Sequence, residues 1–226
     1  MRKVRVSVIG LLTVAAISLA APKAEAVVLA PGATGTPEDQ LFDGGTQLAS
    51  VFYTVSNTNY SATMASAVYR NLGGTLDFYY QITVTAGPDS LRRLSTSAFA
   101  NGVTWTTDAR EITDGSNIAC TACGGFFEDG SEDATDADRS VNGRVVGFNY
   151  TPASGDFPLD PGETTLVLLV RTNATRYTAG LFSVIDGSVE ERAAFQPLEV
   201  PEPASLVLFG MGLLASAGAI RRRRRS

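Results

Sequence analysis

Histidine is absent from all 226 residues of the chain. This absence excludes Ser-His-Asp and Cys-His catalysis, histidine general bases and the usual zinc and copper sites. Carboxylate chemistry and calcium sites built from oxygen ligands remain compatible with the composition. Lysine is also absent between residues 27 and 200, where nine arginines stand against 21 acidic residues, a net charge of −12. Phosphate backbones repel so acidic a segment, and this excludes nucleic-acid binding.

Cysteine is scarce as well, with only Cys120 and Cys123 in a C-x-x-C spacing. Two close cysteines in an exported protein oxidise, which predicts a structural disulfide that pins the glycine-rich residues after it. Thioredoxin-like redox chemistry would require a βαβ unit, and no such unit is visible in the pattern. Zinc binding would require further ligands. Redox and metal use remain the alternatives to a structural disulfide.

The first 26 residues predict a secretory signal peptide. A basic start precedes an apolar run from Val6 to Ala21, and Ala24 and Ala26 then form the small-x-small pattern that signal peptidase cleaves. Cleavage after Ala26 would export the rest of the chain. An uncleaved N-terminal anchor is the alternative.

A second apolar run, Leu206 to Ile220, lies near the other end of the chain. It approaches the length of a membrane span, and the basic residues after it hold that side in the cytoplasm. Residues 204–226 are therefore predicted to be a transmembrane helix followed by an arginine-rich tail. The predicted cytoplasmic stop consists of Arg221, Arg222, Arg223, Arg224 and Arg225.

A proline-rich linker, residues 195–203, leads into this helix and ends in Pro201, Glu202 and Pro203. The order of Pro-Glu-Pro, apolar helix and arginine cluster closely resembles the PEP-CTERM sorting domain. The resemblance implies an exosortase substrate of a Gram-negative bacterium. Its precursor would be anchored transiently in the inner membrane, cleaved near the motif, and placed at the cell surface or outside the cell. The implied partners are signal peptidase, exosortase and extracellular polysaccharide.

Residues 46–194 show the two-residue alternation of β-strands. Residues 166–170 are apolar at every position, as in a strand that is covered on both faces. About seven to ten short strands predict an all-β fold, an antiparallel β-sandwich of jelly-roll-like form. Residues 27–45 precede it as a loosely packed lead segment. The clearest strand places five large apolar side chains on one face: Leu76, Phe78, Tyr80, Ile82 and Val84.

Two features inside this domain are ambiguous in the sequence. Residues 62–69 and 190–194 contain helix formers, but both segments are too short for a helix prediction. Thr83 and Thr85 are interpreted as one isolated pair of ordinary strand threonines, since threonine is common in strands.

Six carboxylates lie within residues 128–138. Asp133, Asp136 and Asp138 form a candidate calcium site, because oxygen ligands at short spacing suit a hard cation. The spacing does not match an EF-hand loop, and a solvated acidic loop is the alternative. No cofactor other than calcium is expected.

The favoured function is a non-enzymatic structural or adhesive protein of the cell surface, extracellular matrix or biofilm. It rests on the sorting tail, the β-rich middle and the lack of a catalytic constellation. A carbohydrate-binding module is the alternative, assisted by calcium or not, in which exposed aromatics such as Tyr79 stack on sugar rings. A glycosidase that uses two carboxylates is the third and least favoured function.

Overall fold

The predicted signal peptide, proline motif, membrane helix and arginine tail lie outside the described part of the chain. The described part of the chain contains two short 3₁₀ helices, Gly115–Asn117 and Thr121–Cys123, and otherwise consists of strands and the connections between them. No helix in this part is long and apolar enough to cross a membrane. The computed structural model describes residues 27–88, 90–100, 105–150, 159–186 and 188–198.

The prediction of an all-β fold is confirmed. The strands are β1 (Val27–Val28), β2 (Thr34–Gly35), β3 (Glu38–Gln40), β4 (Thr46–Ser56), β5 (Ser61–Arg70), β6 (Leu76–Ala86), β7 (Arg93–Ser97), β8 (Thr107–Ile112), β9 (Ala119–Cys120), β10 (Gly125–Phe126), β11 (Asp136–Arg139), β12 (Val145–Asn149), β13 (Val167–Thr172), β14 (Tyr177–Asp186) and β15 (Ser188–Pro197). Two large sheets contain most of these strands, and β9 and β10 form a small sheet of their own. The seven-stranded sheet has the order β1-β8-β13-β6-β5-β4, with β3 beside β8, and the six-stranded sheet has the order β15-β14-β7-β12-β11-β2.

The antiparallel prediction needs one correction. The pairs within the two large sheets are antiparallel except for β3 with β8, which is parallel. The chain reaches β3 from β2, which belongs to the other sheet, and β3 runs beside β8 in the same direction. A connection between sheets leaves either direction open, whereas a tight hairpin enforces an antiparallel pair.

The inner faces of the two sheets share one hydrophobic core. All five apolar side chains that the sequence places on one face of β6 are fully buried there, as predicted. From the opposite sheet, Phe148 on β12 and Phe182 on β14 join the same cluster. The Tyr80 hydroxyl donates to the Phe195 carbonyl at 2.9 Å, which ties β6 to β15 across the core. The two sheets therefore pack face to face.

The outer face of the seven-stranded sheet is covered as well. Residues 113–135, here called the cover loop, place Ile118, Cys120 and Phe127 against Tyr79 in a second cluster. Tyr79 is 0% exposed, so its predicted role as an exposed aromatic is wrong. Strand β13 is buried on both faces, as its continuous apolar pattern predicts, because its side chains alternate between the two clusters.

The lead segment packs more closely than expected. Its strands β1 and β3 pair with β8, and β2 pairs with β11 in the other sheet. Leu29 is buried in the main core, and Asp43 forms an ion pair with Arg171 at 2.7 Å. At the other end, β15 continues to Pro197, so the first residues of the predicted linker lie within a sheet. The domain boundaries at residues 45 and 194 stay a prediction.

Candidate functional site

The three predicted calcium ligands do not form one group in the structure. Asp136 and Asp138 lie on β11, where alternate residues share a face. Arg93 donates two hydrogen bonds to the Asp138 carboxylate. The Asn149 amide donates to Asp136 at 2.6 Å and to Asp138 at 2.9 Å. These donors engage both oxygens of Asp138 and one oxygen of Asp136. Asp133 does not belong to this group.

Asp133 belongs instead to a cluster with Asp39 and Glu111, here called the acid trio. One carboxylate oxygen from each residue lies within 4.8 Å of the other two. Asp39 and Glu111 are direct register partners in the parallel pair β3 and β8, and Asp133 comes from the cover loop. Glu111 is 1% exposed, whereas Asp39 and Asp133 are exposed. The trio therefore joins a lead strand, a core strand and the cover loop.

The electrostatics of the trio are unfavourable to three negative charges. Burial raises the pKa of Glu111 to about 8, the backbone hydrogen bond from Ala134 lowers it, and Asp133 and Asp39 raise it. Burial and the charge of Asp39 likewise raise the pKa of Asp133. Among the described residues, no arginine forms an ion pair with any member of the trio. The cluster has the composition of a hard-cation site.

A second candidate site is a groove between the cover loop and the outer face of the seven-stranded sheet, with a volume of about 210 Å³. Two aromatic rings with large exposed fractions line it, Phe52 at 42% and Phe126 at 59%. Cys120 and Cys123 form a disulfide, and Cys123 lies in the groove wall close to Phe126 in the chain.

Three threonines line this groove: Thr63, Thr83 and Thr85. Thr54, Thr63, Thr83 and Thr164 are consecutive cross-strand neighbours, and the Thr164 hydroxyl lies 2.9 Å from that of Thr83. Because cross-strand neighbours share a face, these side chains form a row perpendicular to the strands. Thr83 and Thr85 have no other threonine beside them in the sequence, but in the structure Thr83 belongs to this row of four threonines. The interpretation of Thr83 and Thr85 as an isolated pair is therefore wrong for the folded protein.

Gln81 holds the cover loop in place beside the groove. Its side-chain amide donates to the Glu128 carbonyl at 2.7 Å and the Thr165 carbonyl at 3.0 Å, and its oxygen accepts from the Glu128 N–H at 3.0 Å. These three hydrogen bonds fix the cover loop against the strands beside the groove. Sequence reasoning missed Phe52 and Phe126 because their exposure depends on where the cover loop ends, for which the sequence has no local signal.

The predicted signal-peptide site (Ala24 and Ala26), the sorting motif (Pro201, Glu202 and Pro203) and the cytoplasmic stop (Arg221 to Arg225) lie outside the described residues. Residues 199–225 match the family described as the PEP-CTERM protein-sorting motif. No curated protein and no solved structure matches the chain. The family match contains the Pro-Glu-Pro tripeptide and the five arginines, and it confirms the resemblance drawn from them. The chain is an exported protein that carries a PEP-CTERM sorting motif for recognition and processing by exosortase.

Proposed function

We propose that the protein is a non-enzymatic component of the cell surface, the extracellular matrix or the biofilm, with a structural or adhesive role. The observation that carries the proposal is the sorting motif at residues 199–225, placed at the end of an acidic chain whose described part is all-β. We describe its two packed sheets as a β-sandwich of jelly-roll-like form.

The proposal includes a processing route. Signal peptidase removes residues 1–26, the helix of residues 204–226 anchors the precursor in the inner membrane of a Gram-negative cell, and exosortase then cleaves near Pro201 to Pro203. The match at residues 199–225 supports the second and third steps. The basic start and the Ala24-x-Ala26 pattern support the first.

Three of the carboxylates described above are poorly placed for glycosidase chemistry. A glycosidase needs two carboxyl groups that both reach the sugar. In the acid trio Glu111 is buried inside the domain, and Asp136 and Asp138 are engaged by Arg93 and Asn149.

Gene deletion tests the proposed role. Deletion should reduce the protein and polysaccharide retained on the cell surface and weaken attachment to a solid support. The wild-type gene should restore both properties, and a gene in which Pro201, Glu202 and Pro203 are all alanine should not. Unchanged attachment and matrix composition in the deletion strain would contradict a structural or adhesive role.

Carbohydrate binding is the second candidate function, and the groove with Phe52 and Phe126 favours it. Exposed aromatic rings beside a row of hydroxyl groups suit a sugar, whose ring faces are apolar and whose edges donate and accept hydrogen bonds. The ligand we propose is a neutral stretch of extracellular polysaccharide, because the net charge of −12 between residues 27 and 200 disfavours acidic chains.

Binding of the exported protein to polysaccharide isolated from the producing cells tests this second function. Phe126→Ala and Phe52→Ala should each weaken binding about tenfold, the equivalent of about 1.4 kcal/mol. Leu181→Ala is the matched control, since Leu181 is also 42% exposed but lies on β14 of the other sheet. Equal binding by all three variants and the wild type would remove the groove as a sugar site.

A further inference from the structure

We propose that the acid trio of Asp39, Glu111 and Asp133 binds a calcium ion that fastens the lead strand β3 and the cover loop to β8. The inference does not depend on the proposed function, because it concerns the stability of the domain and not its partner. It also differs from the calcium site expected from the sequence, with which it shares only Asp133.

The distances suit calcium. Calcium holds oxygen ligands at about 2.3–2.6 Å, so two oxygens on one ion lie up to about 5 Å apart. The trio places one oxygen from each carboxylate within 4.8 Å of the others. Three carboxylates with no cationic partner among the described residues supply the hard oxygen ligands and the negative charge that such an ion requires.

The position of Glu111 is unfavourable for an ionised carboxylate. Like charges directly opposite each other in a sheet are destabilising, and Asp39 and Glu111 are register partners. Arg110, the nearest arginine in the chain, donates to Asp108 and Gln40 instead. Among the described residues, the one hydrogen bond to the Glu111 carboxylate comes from the Ala134 N–H at 2.8 Å. A bound cation would compensate the remaining charge.

Tyr150 gives a second, independent indication of a ligand. Its side chain is fully buried, and its hydroxyl has no hydrogen-bond partner among the residues that the structure describes. Burial raises the pKa of Tyr150 well above its usual value, and the nearby carboxylates of Glu111, Asp133 and Glu132 raise it further. The Thr165 side chain lowers this pKa, but it does not lie in hydrogen-bonding geometry with the Tyr150 hydroxyl. The hydroxyl therefore lies beside the trio with an unused donor, which a water on the bound ion would accept.

Thermal unfolding of the exported protein, with calcium or with chelator, tests the site. Extracellular calcium modules bind with Kd of about 0.1–1 mM, so about 10 mM calcium should raise the Tm by about 3–10 °C. Asp39→Asn and Asp133→Asn, both at exposed positions, should lose most of this shift. Asp136→Asn is the matched control and should keep it, because Asp136 lies outside the trio.

Glu111→Gln separates a cation site from a merely structural carboxylate. In chelator this variant should match or exceed the wild-type Tm, because the glutamine oxygen can still accept from the Ala134 N–H and the amide cannot ionise, while its calcium shift should be lost. Terbium luminescence excited through tyrosine should appear for the wild type and Asp136→Asn and be absent for Glu111→Gln. An unchanged wild-type Tm in calcium, or a shift that survives Asp39→Asn and Asp133→Asn, would overturn the proposal. So would a shift lost in Asp136→Asn.

Discussion

Arg139 is only 3% exposed, yet its guanidinium forms no ion pair among the described residues. It donates instead to four backbone carbonyls, those of Leu29, Phe99, Trp105 and Gly143, at 2.9–3.0 Å. Burial lowers its pKa, but an arginine keeps its charge. This one side chain therefore joins the lead segment to the connection between β7 and β8 and to the turn between β11 and β12.

Replacing Arg139 tests the strength of that junction. Arg139→Met keeps most of the apolar stem but leaves three of the four carbonyls without a donor, since the Leu29 carbonyl still accepts from the Thr107 hydroxyl. Each buried carbonyl left unpaired costs about 1–3 kcal/mol. The free energy of unfolding, measured in urea, should fall by about 3 kcal/mol or more. Arg144→Met at an exposed position is the control and should change it by about 0.5 kcal/mol or less. Equal effects of the two substitutions would contradict this role.

Asp138 carries a second prediction at the residue scale, on pH. The hydrogen bonds from Arg93 lower its pKa below the usual 3.8, burial opposes this, and Asn149 and the charge of Arg93 lower it further. Because the folded-state pKa is depressed, the contribution of Asp138 to stability is complete above the unfolded pKa. It is lost as the pH falls through the folded pKa.

Asp138→Asn should therefore destabilise the protein at neutral pH, and the difference from the wild type should shrink as the pH falls below 3.8. Urea midpoints measured at several pH values give this difference. A gap that stays constant down to about pH 2 would show that charge is not the cause.

At the scale of elements, strand β5 shows how burial overrides local preference. Residues 62–69 contain three alanines and a methionine, which favour helix, but the segment forms the strand between β4 and β6. Its side chains alternate between the two hydrophobic clusters, with Met64 and Val68 in one and Ala65 and Tyr69 in the other. A helix would place one stripe toward a core and could not serve two.

The cover loop is the element that the sequence predicts least. Its path depends on close approach at Gly130, where a Cβ atom would lie 1.9 Å from the Thr165 carbonyl oxygen. Glycine is the residue that allows the loop to approach the backbone just before β13 so closely, and the loop then buries Tyr79 beneath it.

Gly130→Ala should consequently lift the cover loop. We expect a loss of about 1–3 kcal/mol in the free energy of unfolding and greater exposure of the outer cluster, measured by the binding of a hydrophobic dye. Gly73→Ala is the control, since the nearest atom to its Cβ would be Oδ1 of Asn71 at 3.3 Å, with no backbone atom in the way. A variant as stable as this control, with no dye binding, would show that the close approach is dispensable.

At the scale of the whole molecule, the sorting motif is the feature that bears on where the protein is located. The chain carries the sorting motif at residues 199–225, so its final C-terminus should depend on exosortase. Mass spectrometry of the exported wild-type protein should find a chain that ends near Pro201 to Pro203. Cells without exosortase, and cells that express Glu202→Ala, should keep the arginine tail. Recovery of the intact chain as a soluble protein from wild-type cytosol would refute this route.

Much of the fold could be predicted because strand alternation is local. The inward side chains of β6 and the double burial of β13 follow from residue order alone. The candidate sites could not be predicted in this way. Asp39, Glu111 and Asp133 are distant in the chain, and the threonines at 54, 63, 83 and 164 become neighbours only through strand pairing.

The sequence by itself determined that this protein is exported and all-β, because a sorting motif and two-residue alternation are both continuous along the chain. Only the tertiary structure decided which carboxylates meet, which aromatic rings stay in water and which are covered. The physical reason is that charge clusters and exposed surfaces depend on distances between segments, and those distances exist only after the two sheets pack and the cover loop closes over one of them.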